Sequence, residues 1–280
     1  MIDSGATWRQ LLAVVGLLTF LSILFVAPIV LILAGSLKPE ARVLSEAGTL
    51  RAFFPTRVSL QNYRDVFERV PVVLYLFNSG LINGLIVSLG LIVNSLAGYA
   101  LARLRWPGRG RFLLLVLALL IIPFEALSVP LFYALSALGL RDTYVVQVLP
   151  FVANPLAIYL FYSFFLSLPV ELEEAAQLDG AGPLRTFVVI IVPNSKPAFA
   201  TVAIVMLLFH WGMYLWPLLM TAGESVRPLP LGIASFYSLP PRQWGDILAF
   251  SIIMVLPVLL LFMIFQRAFV RSVASSGIKG

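Results

Sequence analysis

Six mostly apolar stretches, at about 8–37, 72–104, 112–138, 144–166, 199–221 and 247–269, constrain this chain more than any other feature. Each approaches or exceeds the roughly 20 apolar residues that cross the hydrocarbon core of a bilayer. Lipid offers no hydrogen bonds, so a spanning segment must satisfy its backbone internally, and runs of this length do so as helices. The expected fold is an all-α polytopic membrane protein with six transmembrane helices. A mean hydropathy of +0.99, with 60% hydrophobic and 11% charged residues, excludes an ordinary soluble domain. The first run is too long for a signal peptide and lacks an Ala-x-Ala site after it, so it reads as an uncleaved first helix.

Charge sets the expected orientation. The loop at 103–111 carries Arg103, Arg105, Arg109 and Arg111 with no acid, a dense positive segment that belongs on the cytoplasmic side. Lys38, Arg42, Arg51, Arg57, Arg64 and Arg69 fall in the first long loop, on the opposite face, so the short loop decides. Both termini are then cytoplasmic. Segment 38–71 is an outer loop with a short amphipathic helix at about 60–70, too small to bury a core alone, and it packs on the bundle or on a partner. The net charge of +6 reads as topology and headgroup contact, with no nucleic acid as partner. There is no cysteine and a single histidine, His210, which excludes disulfides and Cys- or His-cluster metal sites.

Pro123, Pro130, Pro150, Pro155, Pro217 and Pro257 interrupt four of the apolar runs, and each removes a backbone hydrogen bond and bends or breaks its helix. Kinked helices suit the walls of a path. Candidates to line one are Asn78, Asn83, Glu125, Tyr214 and Trp216, because polar groups inside a membrane are costly and Tyr and Trp can stack on a ligand ring, although an aromatic belt at the membrane interface is their plainer use. Asn78, Asn83 and Asn94 do not share one helix face, and hydrogen bonding between helices is their plainer use. His210, beside Trp211, reads as a packing histidine.

Between the fourth and fifth runs lies a polar island. Pro169 suits a helix start, Glu171, Glu173 and Glu174 favour the positive end of a helix, Ala175 and Ala176 permit close approach, and Asp179 with Gly180 signals a turn. Pro183 opens a second short helix. The two make a compact knob on which Ala175, Ala176, Leu178 and Ala181 form the apolar contact surface and Glu174 can accept from a partner's arginine.

Glu174, Ala175, Ala176, Gly180, Ile190, Val192 and Pro193 are spaced as in the EAA loop, with Val192 where leucine is usual. The pattern resembles binding-protein-dependent ABC importer permeases, and Phe77-Asn78-Ser79, Ala97-Gly98-Tyr99, Trp106-Pro107-Gly108, Leu229-Pro230 and the tail Ser276-Gly277-Ile278-Lys279-Gly280 extend the likeness to the carbohydrate-type, maltose-transporter kind. Trp211-Gly212-Met213-Tyr214 departs from the Trp-Asn-Glu-Phe of many relatives.

The resemblance implies a single transmembrane domain over 1–280, with an outer loop at 38–71, a cytoplasmic EAA coupling loop at 167–197 and a cytoplasmic tail at 270–280. It implies that Glu171, Glu174, Ala175, Ala176, Leu178, Asp179, Gly180 and Ala181 couple to an ATPase, that Gly277 and Lys279 reach it from the tail, and that a sugar or polyol crosses by alternating access. The implied partners are a second homologous permease subunit, two ATPase subunits and an extracytoplasmic substrate-binding protein, in a bacterial or archaeal plasma (inner) membrane. ATP and Mg belong to the ATPase; the chain has no Walker loop and no catalytic cluster. The alternatives are import of another polar solute, such as glycerol phosphate or an amino acid, and a stand-alone secondary transporter using Glu125 and His210.

Overall fold

A computed structural model describes residues 8–238 and 240–276, so Gly277 and Lys279 lie outside the described residues. In chain order the helices are α1 (Trp8–Ser36), α2 (Glu40–Val43), α3 (Gln61–Arg69), α4 (Val72–Ala102), α5 (Arg109–Leu119), α6 (Phe124–Ala137), α7 (Tyr144–Val152), α8 (Pro155–Leu166) and α9 (Glu171–Leu178). Then come α10 (Pro183–Asn194), which includes a wide π-type turn at Phe187–Ile191, α11 (Lys196–Trp211), α12 (Leu215–Met220), α13 (Leu229–Ser238) and α14 (Trp244–Ser276). No strand occurs among the described residues. The protein is an all-helical polytopic membrane protein.

Among the described residues α1, α4 and the first part of α14 are each long and apolar enough to cross a membrane singly. Counting each bent pair as one span, α5 with α6, α7 with α8, and α10 with α11, gives up to six. Three of the expected spans are broken, the run at 144–166 by a 40° bend between Val152 and Pro155. The run at 112–138 turns through 99° between Leu119 and Phe124, where Pro123 is extended and begins a new helix. The run at 199–221 is not one helix: α11 starts earlier, at Lys196 after an 82° bend, and stops at Trp211. Gly212, a weak helix former, ends it, and α12 follows as a separate piece.

Two compact units result. The first contains residues 8–72 and 232–257, and in it the loop at 38–71 is fastened to the start of α14. Both Glu40 carboxylate oxygens accept from the Trp244 and Gly245 backbone N–H groups, at 2.8 and 2.7 Å, and so cap that helix. Arg69 pairs with Asp246 at 2.6 Å, and Asn62 Nδ2 donates to the Ser36 and Lys38 carbonyls. Lys38 is buried: its ammonium donates to Arg51 O at 2.7 Å and sits 3.0 Å from Glu46 Oε2. Hydrogen-bonded in this way by Lys38, the Glu46 carboxyl is held below its ordinary pKa although desolvation opposes the shift.

The second unit contains residues 73–231 and the chain beyond 257. Its core joins Ile86 and Tyr99 of α4 to Phe151, Phe161, Phe165, Met206, Trp216 and Met220. Lipid is as apolar as these side chains, so close packing and hydrogen bonds between helices hold the bundle rather than burial alone. Gly98 shows the closeness: a Cβ there would lie 2.6 Å from Phe161 Cβ and 3.0 Å from the Tyr162 amide nitrogen of α8.

Candidate functional site

The polar island forms the expected knob. Val170 supplies the carbonyl that opens α9, accepting from Glu173 and Glu174 N–H, so Pro169 stands just outside the helix. At the other end Gly180 takes φ +76°, and Ala181 N–H donates back to Ala176 O at 2.9 Å, a closing bond across a left-handed cap. Pro183 starts α10.

The faces of α9 divide cleanly. Glu171, Glu174, Ala175, Gln177, Leu178, Asp179 and Gly180 are exposed, Leu178 to 90%. Ala181 is half-buried. Ala176 is 4% exposed and packs on its own chain, so it leaves the expected contact surface. Leu184 of α10, exposed to 67%, adds an apolar side chain to the knob that the sequence reading did not select.

Glu173 is the second departure. It points inward, and its Oε1 lies 3.2 Å from Nε of Arg103, just past the end of α4. Both side chains are almost fully buried. Burial pushes the Glu173 carboxyl above its ordinary pKa, and the Arg103 charge only partly offsets that. Arg103 also donates through its other arm to Leu168 O, between α8 and α9. Beneath, Tyr99 of α4 packs on Phe165 before the knob, with ring centroids 6.3 Å apart, and on Phe187 after it, at 5.1 Å. The signal for Glu173 was in the spacing. Residues 172, 173 and 176 share one side of a 3.6-residue helix, opposite 171, 174 and 178.

The path candidates separate. Asn78 is fully buried and fully used: Nδ2 donates to Ser225 O and Arg227 O at 3.0 and 2.9 Å, and Tyr144 OH donates to Oδ1 at 2.7 Å. Trp216 is also fully buried, with Nε1 donating to Val146 O at 2.9 Å and rings of Phe124 and Phe151 against it. It therefore presents no face to a sugar. Glu125 is exposed in the first turn of α6, and Tyr214 is exposed to 39% at the break between α11 and α12. His210 Nδ1 lies 2.6 Å from Met206 O, a bond within its own helix, and its ring meets the Phe151 edge.

Asn83 differs. Its Nδ2 donates to Ser79 O within α4, while its buried Oδ1 has no hydrogen-bond partner. It lines a cavity of about 360 Å³ between α4, α11 and the later part of α14, together with Gly80, Gly84, Ser88, Leu207 and Trp211. It also lines a water-sized space of about 20 Å³ that reaches Gln147, His210 and Met213.

The described residues thus offer up to six helical spans, three of them bent pairs, with the polar helix α9 between the fourth and fifth. Residues 90–275 match the family described as binding-protein-dependent transport system inner membrane component, and the chain belongs to that family.

Among its relatives, the arabinooligosaccharides transport system permease protein AraQ of Halalkalibacterium halodurans is 34% identical over 262 residues, covering 93% of this chain and 94% of AraQ. The trehalose transport system permease protein SugB of Mycobacterium tuberculosis is 38% identical over 264 residues, 90% of this chain and 92% of SugB. The sn-glycerol-3-phosphate transport system permease protein UgpE of Yersinia enterocolitica is 35% identical over 208 residues, 74% of each chain. The fold matches a chain of a bacterial ABC transporter involved in the import of the acidic polysaccharide alginate, with TM-score 0.81 and 21% identity, covering 94% of this chain and 98% of that one.

Proposed function

We propose that this chain is the permease subunit of an ATP-driven importer that carries a sugar or related polyol across the plasma (inner) membrane by alternating access. The observation that carries the proposal is the α9 knob, whose Glu171, Glu174, Ala175 and Leu178 stand exposed although most of the chain is apolar. A surface of that kind needs a soluble partner to cover it. A cytoplasmic ATPase has the right chemistry: a cleft that buries Leu178 and an arginine for Glu174. In this reading the knob and both termini are cytoplasmic, the loop at 167–197 is the coupling loop, and the tail at 270–280 lies toward the ATPase. The chain works as one transmembrane domain without catalysis of its own, ATP and Mg being handled by two ATPase copies. A second homologous permease and an extracytoplasmic binding protein complete the complex.

The names of AraQ and SugB favour a saccharide as cargo. The likeness to UgpE supports a second reading, import of a glycerol phosphate. The larger cavity is almost wholly apolar, which suits neither cargo as a complete site and agrees with a partner permease supplying polar contacts.

The test is purification through a tag on this chain, mass spectrometry of what accompanies it, and uptake of labelled trehalose, an arabino-oligosaccharide and glycerol 3-phosphate by reconstituted vesicles. Recovery of an ATPase and a second permease, with ATP-dependent uptake that Glu174→Lys or Gly180→Leu abolishes, is expected. Recovery of this chain alone, or unchanged uptake in both variants, would overturn the assignment.

A further inference from the structure

The Arg103–Glu173 pair does something the exposed face of the knob does not require. The outward residues of α9 suffice to meet a partner. Yet Arg103 and Glu173 are nearly buried, in the region where the chain leaves α4 and enters α9. The guanidinium donates to Leu168 O with one arm and faces Glu173 Oε1 across an ion pair at 3.2 Å that has no hydrogen-bond geometry, so the approach to the knob and the knob itself meet at one charge. Tyr99, a turn earlier on α4, touches Phe165 and Phe187 on either side of the knob. Thus α4 holds the chain before α9, within α9 and after it. Glu173 bears a net burial cost despite its partner, so the pair is poorly explained as a source of stability.

At its other end α4 holds a second junction. Asn78 bonds Ser225 O, Arg227 O and Tyr144 OH, and Ser79 Oγ accepts from Leu229 N–H at 2.8 Å. From Asn78 to Arg103 is about 37 Å along a continuous helix, at 1.5 Å per residue. The prolines at 123, 130, 150 and 155 fall in the α5–α8 region; α4 contains none.

We propose that Arg103 is a positioning residue that makes the α9 knob and α4 one moving body, delivering displacement of the knob to the Asn78 junction without loss in the intervening loop. This rests on the reading of α9 as the coupling element. Arg103 itself meets no partner; it acts through Glu173 and Leu168.

The chain has no cysteine, so thiols introduced at Leu96 and Gln177, both exposed, give two labels on α4 and α9 with no others in this subunit. The experiment measures the distance between spin labels there in the purified complex, nucleotide-free and trapped with ATP and vanadate, for the parent protein, Arg103→Ala and Arg103→Lys. ATP-dependent uptake and the amount of ATPase retained are followed in the unlabelled counterparts.

The parent is expected to keep one narrow distance in both states. Arg103→Ala should broaden it and lower uptake on the order of tenfold, within the range of ordinary coupling energies, while retaining the ATPase. Arg103→Lys, which keeps the charge but lacks the planar fork that faces Glu173 while donating to Leu168 O, should fall between. A distance equally narrow in Arg103→Ala would overturn the brace, and so would broadening with undiminished uptake. Failure of the parent chain to bring down any ATPase would instead defeat the coupling reading, while the label distance still decides whether Arg103 holds the knob.

Discussion

Asn94 of α4 closes the break between α7 and α8 by bonding to both sides of Ala153. Its Oδ1 accepts from the Asn154 backbone N–H at 2.8 Å, and its Nδ2 donates to Val152 O at 2.9 Å. Asn154 then caps α8, its own Oδ1 accepting from Ala157 N–H at 3.0 Å. A 40° bend in a membrane span leaves backbone groups with no water to meet them, and Asn94 is the neighbour that satisfies two of them. Asn94→Leu, close in volume, orphans both and should lower stability by about 2 kcal/mol, one desolvation penalty per group discounted for partners found in the unfolded membrane state. Thermal unfolding in detergent measures it. Asn94→Asp, which keeps the acceptor, should lose less at low pH; equal losses from both variants would argue against this role.

That junction illustrates what the sequence carried and what it did not. The helical class and the approximate position of six spans follow from apolar run length, a property of local composition. Pro123, Pro150 and Pro155 announced that helices would break, but a 99° turn at one place and 40° at another depend on which neighbour satisfies the freed groups. Asn94 is 60 residues from Asn154, and no local pattern joins them. The knob was legible because its turn chemistry is local: Gly180 ends α9 and Pro183 begins α10. The inward side of the knob was legible in principle, since Glu173 and Ala176 stand three residues apart. Residue type outweighed period there, and a glutamate and an alanine were grouped with their neighbours rather than by face. Trp216 was open in the sequence for a different reason. An indole in a membrane segment serves equally for stacking on a ligand or for packing, and only the Val146 carbonyl at 2.9 Å decides between them.

Glu173 has a raised pKa, so its protonation works in a definite direction. A carboxyl whose folded value lies above its unfolded value of 4.5 contributes stability that is fully present below 4.5 and is lost as pH rises through the folded value. Glu173→Gln should therefore remove that downward slope and leave the protein at least as stable near neutrality. Uptake should nevertheless fall, because a neutral amide holds Arg103 less firmly. Unfolding midpoints against pH, paired with uptake at one pH, separate the two effects. A variant that loses stability at neutral pH would show that the ion pair is a net stabiliser instead.

Glu46 runs the opposite way. Hydrogen-bonded by Lys38, it has a lowered pKa, so its contribution is present above the ordinary carboxylate value and is lost as pH falls through the folded one. Acidification should loosen the loop at 38–71, exposing the segment near Arg51 whose carbonyl Lys38 also holds. Limited proteolysis with an acid-tolerant protease should cut there faster as pH falls, and Lys38→Met should cut fast at every pH. Cleavage independent of pH in the parent would remove Glu46 from this role.

The exposed face of the knob gives the sharpest contrast between neighbouring residues. Leu178 is exposed to 90%, and two residues earlier Ala176 is exposed to only 4%. If Leu178 is an apolar anchor in an ATPase cleft, Leu178→Glu should weaken that association by about 2 kcal/mol or more, the scale of a central contact residue, without altering the thermal stability of the chain. Ala176→Leu should do the reverse first, because an added side chain on the packed face must push α9 off its support, at a typical cost of about 1–3 kcal/mol. Retention of the ATPase through graded salt and detergent washes reads the first effect, and unfolding of the isolated chain reads the second. The two variants should thus separate cleanly on two axes. Equal retention of the ATPase by Leu178→Glu and the parent would mean that the partner grips another part of the chain, with Leu184, on the next short helix, the first side chain to test.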